Sequence, residues 1–322
     1  MQVNKTAIII LNYNNYEDTI ICVESIKKFN TAPVKIIVVE NGSTREGVVS
    51  SLDSFFLKTY GADYVSVNSE KPVREKLPYI TLVCSETNDG YAKGNKKGLK
   101  FAYGDTEISH VMILNNDVLF VEDIIPSLLR YTCKISNCGI VSPLLYKKNL
   151  QGIDYNCARK ADTPWAIFLK FLFYYVNPFG FKTKQINRQK ILLSNPLFLE
   201  NEFVEIELPS GSCMLLSKQL FQDIDDFDGH TFLYYEEDIL QKKLEKRGLK
   251  NYLIPQLKCI HLGASSTKHS VAYFIIKASV DSADYYVSNY SKASYIFKKF
   301  FHFYLYKIFL PIVKIQKQIK GK

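Results

Sequence analysis

Apolar residues in the first half of the chain gather into short unbroken runs, 7–11 (AIIIL), 35–39 (KIIVV), 80–84 (ITLVC) and 111–114 (VMIL). Runs of this length and β-branched content predict strands covered on both faces. Between them, residues 17–29 place Ile20, Ile21, Val23, Ile26 and Phe29 at mostly helical spacing, and a second helix is expected over 93–103. Strands alternating with helices predict an α/β fold with a mixed, mainly parallel sheet flanked by helices. Each run stops at polar residues: Asn12 to Asn14, Glu40 to Ser43, Asn88 to Asp89, and Asn115 to Asp117. One strand ending in Asn or Asp is ordinary turn chemistry, but four in succession predict a lined site beyond the carboxyl ends of the strands.

The second half reads differently. Residues 146–203 form an insert containing the aromatic block WAIFLKFLFYYV (165–176), followed by Lys182, Lys184, Arg188 and Lys190. The block is shorter than the roughly 20 residues of a membrane span, so a buried or interfacial helix is expected. In FLYYEEDILQKKLEKRGL (232–249), Ile239, Leu240 and Leu244 have helical spacing and Gly248 is a stop, which crowds Glu236, Glu237 and Asp238 into the first turn. The tail from Ser291 carries Lys292, Lys299, Lys307, Lys314 and Lys317 on one helical stripe, with aromatic and aliphatic residues around the rest. That pattern predicts a helix lying in a lipid headgroup region, bent at Pro311, or one docked on the protein or on a second subunit. The catalytic unit is expected to span 1–270, with a membrane-associated helical segment over 271–322.

Composition adds two constraints. With 41 Lys and Arg against 32 Asp and Glu, the net charge is +9, which calls for an acidic partner such as nucleic acid, anionic lipid or a phosphorylated substrate. The 7 cysteines are scattered with no C-x-x-C pair, so reduced thiols in the cytoplasm are expected rather than a zinc site. The apolar run at 7–11 is too short for a signal peptide.

Asp117 with Asn115 two residues earlier could hold a hard divalent cation that also ligates a diphosphate. A carboxylate beside the aromatic run 232–235 could act as a general base. His261 stands alone in the sequence. Gly90, Gly94 and Gly98 recur every four residues, unlike a phosphate loop, and suggest close helix packing.

Taken in order, LNYN (11–14), VVENGS (38–43), NDGYAKGN (88–95), LNND (114–117), SGSCMLL (210–216), FLYYEED (232–238) and His261 resemble the inverting nucleotide-sugar glycosyltransferases of family 2, which have the GT-A fold and include bacterial rhamnosyl- and galactosyltransferase-type enzymes. The resemblance covers about residues 6–266 apart from the insert. It implies a nucleoside-diphosphate sugar bordered by Asn12, Tyr13, Asn14, Glu40, Asn88, Asp89, Asn115, Asn116 and Gly211. It further implies Mg2+ or Mn2+ at Asp117 and His261, and Glu237 as catalytic base with Asp238 as the alternative. Three positions depart from the family pattern: Glu40 and Asn115 stand where Asp is usual, and Ile239 fills a later Asp position. The single Trp is not preceded by the Q-x-x-R of processive members, which implies one sugar per encounter. The acceptor is expected to be a glycan or lipid-linked saccharide in cell-surface polysaccharide synthesis, with the enzyme cytoplasmic and peripheral at the inner face of the membrane.

Two other classes fit the sequence less well. A sugar-nucleotide nucleotidyltransferase needs a basic Gly-rich loop near the N-terminus, and LNYNNYED has neither Gly nor Lys. A nucleic-acid-binding protein would suit the charge, but the tail lysines are interleaved with bulky apolar residues, so no nucleic-acid partner is expected.

Overall fold

The computed structural model describes residues 5–71, 75–174, 193, 195–263 and 273–320. The basic stretch 182–190 of the insert lies outside them. Strands β1 (Lys5–Asn12), β2 (Val34–Asn41), β3 (Tyr64–Asn68), β4 (Ile80–Ser85) and β5 (Ile108–Asn115) form the parallel half of a 10-stranded sheet. The other half is mixed: β6 (Val118–Phe120), β7 (Cys138–Lys147), β9 (Val204–Ile206), β11 (Cys213–Ser217) and β12 (Lys250–His261). β11 runs antiparallel between β5 and β7. A separate two-stranded ribbon pairs β8 (Ala158–Arg159) with β10 (Leu208–Pro209).

Alternate residues of each central strand enter opposite cores, as the two-residue period of a strand requires. Ile8, Ile10, Ile36, Val38, Met112 and Leu114 face one layer. Ala7, Ile9, Ile37, Val39, Val111 and Ile113 face the other. The first layer contains helices α1 (Tyr16–Phe29), α2 (Val48–Tyr60) and α4 (Ile125–Lys134), and the second contains α3 (Gly90–Gly104). α1 is capped by Asn15, whose side chain accepts from the Asp18 N–H, with Glu17 and Asp18 in the first turn and Lys27 and Lys28 in the last.

The glycines of α3 are packing residues. A Cβ on Gly98 would lie 2.6 Å from Ile9 Cγ2, and one on Gly94 would lie 2.6 Å from Leu11 Cδ1, so the helix rests directly on β1. The sequence located four of the five parallel strands within a few residues and missed β3, α2, α4 and the strands of the mixed half.

A third core belongs to the C-terminal region. Short helices α6 (Pro196–Glu200) and α7 (Lys218–Asp223) precede α8 (Glu236–Glu245), α9 (Tyr273–Asn289), α10 (Tyr295–Phe303) and α11 (Leu310–Lys320). Phe297, Phe301, Leu305, Phe309 and Val313 of the tail pack with Val280 and Tyr286 of α9 and with Ile167 and Phe171 of α5 (Pro164–Leu172). Ile239 joins this core at 1% exposure. The acidic helix is thus anchored in this third core through Ile239.

Gly98→Ala should destabilise the protein by about 1–3 kcal/mol, the usual result of overpacking, because the methyl meets Ile9 and Val39. Thermal unfolding checks this, and an unchanged Tm would show that α3 is not seated on β1 as described.

Candidate active site

The register of the parallel strands brings their polar ends level. Asn12 lies opposite Glu40, Glu40 opposite Cys84, and Leu11 opposite Asn115. Loop-to-loop hydrogen bonds then fix these ends. The Asn14 side chain accepts from the Thr44 and Arg45 N–H groups at 2.8 and 2.9 Å. Asn14 has φ of 60°, a left-handed backbone that Asn tolerates. Glu40 is buried and accepts from the Ser43 N–H at 2.8 Å. Asn41 donates to the Asn88 side chain at 3.0 Å, and Asp89 pairs with Lys97. Tyr13, between Asn12 and Asn14, is half-buried.

Asn12 and Asn116 turn toward the start of α1. Thr19 Oγ1 donates to Asn12 at 2.8 Å, and Asn116 donates to Thr19 Oγ1 and to the Asn15 carbonyl at 3.0 and 3.1 Å. These two amides tie the helix to the strand ends.

Asp117 and His261 meet because β6 pairs with the end of β12. His261 is opposite Val118, and the Leu262 N–H donates to the Asp117 carbonyl at 2.9 Å. His261 Nε2 is 3.4 Å from Asp117 Oδ2, while its Nδ1 lies 2.7 Å from Asp154 Oδ2. Asp154 arrives after β7, where its N–H donates to the Leu145 carbonyl at 2.8 Å. Burial works against a charged imidazole here. Hydrogen bonds and attraction to Asp117 and Asp154 outweigh burial and raise the His261 pKa to about 10. The second oxygen of Asp117, Oδ1, is buried without a hydrogen-bond partner.

The acidic helix α8 begins after a strained turn. Tyr234 and Tyr235 have φ of 75° and 68°, conformations that cost non-glycine residues of order 1 kcal/mol or more. The turn aims three carboxyls in different directions. Glu236 is buried beside Glu237, and burial foremost pushes its pKa up to about 8, so it keeps its proton at neutral pH. Asp238 is also buried, and desolvation raises its pKa to about 6 despite the opposing pull of Arg159. Glu237 Oε1 accepts from the Gly211 N–H at 3.0 Å, and Oε2 lies 3.5 Å from Arg159. A Cβ on Gly211 would sit 2.6 Å from Glu237 Oε1 and 2.9 Å from Tyr91 Oη, so a larger residue here would displace the carboxylate from its present place.

Glu237, Asp238 and His261 open on one cleft of about 360 Å³, walled also by Arg159, Lys170 and Tyr234. Asn115 is joined to the same region through its backbone, which donates to the Ser212 carbonyl at 2.9 Å. The sequence reading did not find Asp154 or Arg159. Both lie in the insert, where no periodicity marks them.

Comparison with known proteins identifies the family and the fold. The sequence model described as "Glycosyl transferase family 2" matches residues 7–225. The chain therefore belongs to glycosyltransferase family 2. It is 25% identical over 232 residues to the low-salt glycan biosynthesis hexosyltransferase Agl10 of Haloferax volcanii, covering 72% of this chain and 58% of that protein. The chain thus spans somewhat over half the length of that relative. A crystal structure of GalNAc-T7 with UDP, GalNAc and Mn2+ superposes with a TM-score of 0.58 at 13% identity, over 95% of this chain and 56% of that one, which establishes the GT-A fold.

Asp154→Ala should lower the His261 pKa from about 10 toward the ordinary 6.5, because the hydrogen bond that favours the imidazolium is lost. Histidine ring NMR in EDTA reads this directly. An unmoved pKa would show that Asp154 does not hold the ring.

Proposed function

We propose that the protein transfers one hexose from a nucleoside-diphosphate sugar to a hydroxyl of a glycan or lipid-linked saccharide, with inversion at the anomeric carbon. The acceptor would be met at the inner face of a cell membrane, in cell-surface polysaccharide synthesis. The supporting observation is the cleft itself, where Glu237 and the Asp117-linked His261 line one space.

The residues suit Mg2+ or Mn2+. Asp117 has a buried oxygen without a partner, and His261 presents Nε2 beside it. Among the described residues no set of three His, Cys, Asp or Glu side chains could hold a cation alone. Asp117 would therefore hold it together with donor phosphate oxygens and water, as is usual for Mg2+, and His261 would join once cation binding displaces its Nε2 proton. When bound, the cation supplies positive charge opposite the departing diphosphate.

Glu237 is held by the Gly211 N–H with its other oxygen in the cleft. It takes the acceptor hydroxyl proton as the oxygen attacks the anomeric carbon and the bond to the diphosphate breaks on the opposite face. Arg159 stabilises the Glu237 anion before the acceptor arrives. Glu236, kept protonated by burial, limits the negative charge gathered at the helix start. Asn14, Glu40, Asn88 and Asp89 shape the loops that border the nucleoside.

Glu237→Gln should lower kcat for transfer by about 10²–10⁴-fold with donor affinity unchanged, since only proton removal is lost. Asp238→Asn should retain activity within about tenfold by the same criterion. The opposite pattern would move the base to Asp238.

A further inference from the structure

The docked tail leaves a second face uncovered. Ile296 (80% exposed), Phe303 (55%) and Ile312 (46%), with Phe300, Ile308 and Ile315, form an apolar stripe opposite the buried Phe297, Phe301, Leu305, Phe309 and Val313. From Ile296 to Phe303 and from Ile308 to Ile315 the steps are three or four residues, as α-helical neighbours require. The step from Phe303 to Ile308 is five, and residues Tyr304–Phe309 are a π-helix. A turn of the wider π geometry keeps Phe303 and Ile308 in line, where an α-helix would rotate the second half of the stripe toward the protein. Pro311 follows immediately, and its missing N–H favours an irregular ladder at this point.

Exposed Lys299, Lys307 and Lys314 run along the tail beside this stripe. Trp165 of α5 is 60% exposed and meets Phe168 with 5.8 Å between ring centroids, and Phe168 in turn lies 5.3 Å from the stripe's Phe300. It thus borders the same patch. No helix among the described residues is long and apolar enough to cross a membrane.

We infer that this face, formed by α10, the π-turn, α11 and Trp165, is a docking surface for an anionic lipid bilayer. Aliphatic and Phe side chains suit the acyl boundary, an exposed Trp suits the headgroup level, and lysines meet anionic headgroups. A symmetric dimer through the same face would bring like-charged lysine rows together, and lysine is depleted from protein interfaces. Helices α5 and α9, on which the tail rests, also supply Lys170 and Ser279 to the cleft wall. The candidate site thus shares two walls with the helices that carry the tail, which suits an acceptor carried by a membrane lipid.

The test uses the full chain, phosphatidylethanolamine vesicles containing phosphatidylglycerol, and phosphatidylcholine vesicles, without any sugar donor. Trp165 is the only tryptophan, so its fluorescence reports on this patch alone. Co-sedimentation with the anionic vesicles and a blue shift of Trp165 emission are expected. The combined Lys299→Glu, Lys307→Glu and Lys314→Glu variant should weaken binding by roughly 100-fold. Ile296→Ser, Phe303→Ser and Ile312→Ser together should abolish the blue shift, with thermal unfolding confirming that each variant folds. Absence of binding to anionic vesicles, binding that neither variant alters, or a dimer that buries Trp165 in sedimentation would overturn the proposal. None of these outcomes depends on glycosyl transfer.

Discussion

One backbone turn, residues 210–212, joins the parts that the chemistry requires. The Gly211 N–H fixes Glu237, the Gly211 carbonyl accepts from Tyr91 Oη at 2.7 Å, and the Ser212 carbonyl accepts from the N–H of Asn115. The acidic helix, the start of α3 and the end of β5 thereby share one rigid reference. β11 carries that rigidity onward by pairing antiparallel with β5 from Cys213 to Ser217. A side chain at position 211 would push against Glu237 and Tyr91 together.

The charges around this turn are arranged by burial rather than by pairing alone. Glu236 and Asp238, buried on either side of Glu237, are shifted upward by desolvation, while Glu237 keeps access to the cleft. A single helix start thereby places three acids in three different environments, with Glu237 and Asp238 both reaching the cleft. At the other wall, His261 is held between Asp117 and Asp154, each on a different loop. The ring is thereby oriented from both nitrogens.

The parallel strands and their polar ends were legible because buried parallel strands are continuous apolar runs, and the residues that break them stand out. The acidic triplet was legible from helix spacing. Asp154 and Arg159 were not, because their roles arise from β7 and β8 meeting β12 and α8 in space. Asn12 and Asn116 look like site residues in sequence; in the fold Asn12 Oδ1 accepts from Thr19 while its Nδ2 has no partner among the described residues, and Asn116 donates to Thr19 and the Asn15 carbonyl. The tail's lysine stripe was legible, but both faces of the tail depend on a π-turn that no apolar period announces. Ile239 read only as a departure from the family pattern, whereas in the fold it is a buried member of the third core.

The most direct test is equilibrium binding of a panel of nucleoside-diphosphate sugars to the wild type and to Asp117→Asn, each with Mn2+ and with EDTA. Saturable binding of one donor that requires Mn2+ and weakens by at least about tenfold in the variant is the expected result, since the carboxylate is the anionic ligand offered to the cation. Donor binding that is indifferent to both Mn2+ and Asp117 would contradict a metal-diphosphate site at the end of β5.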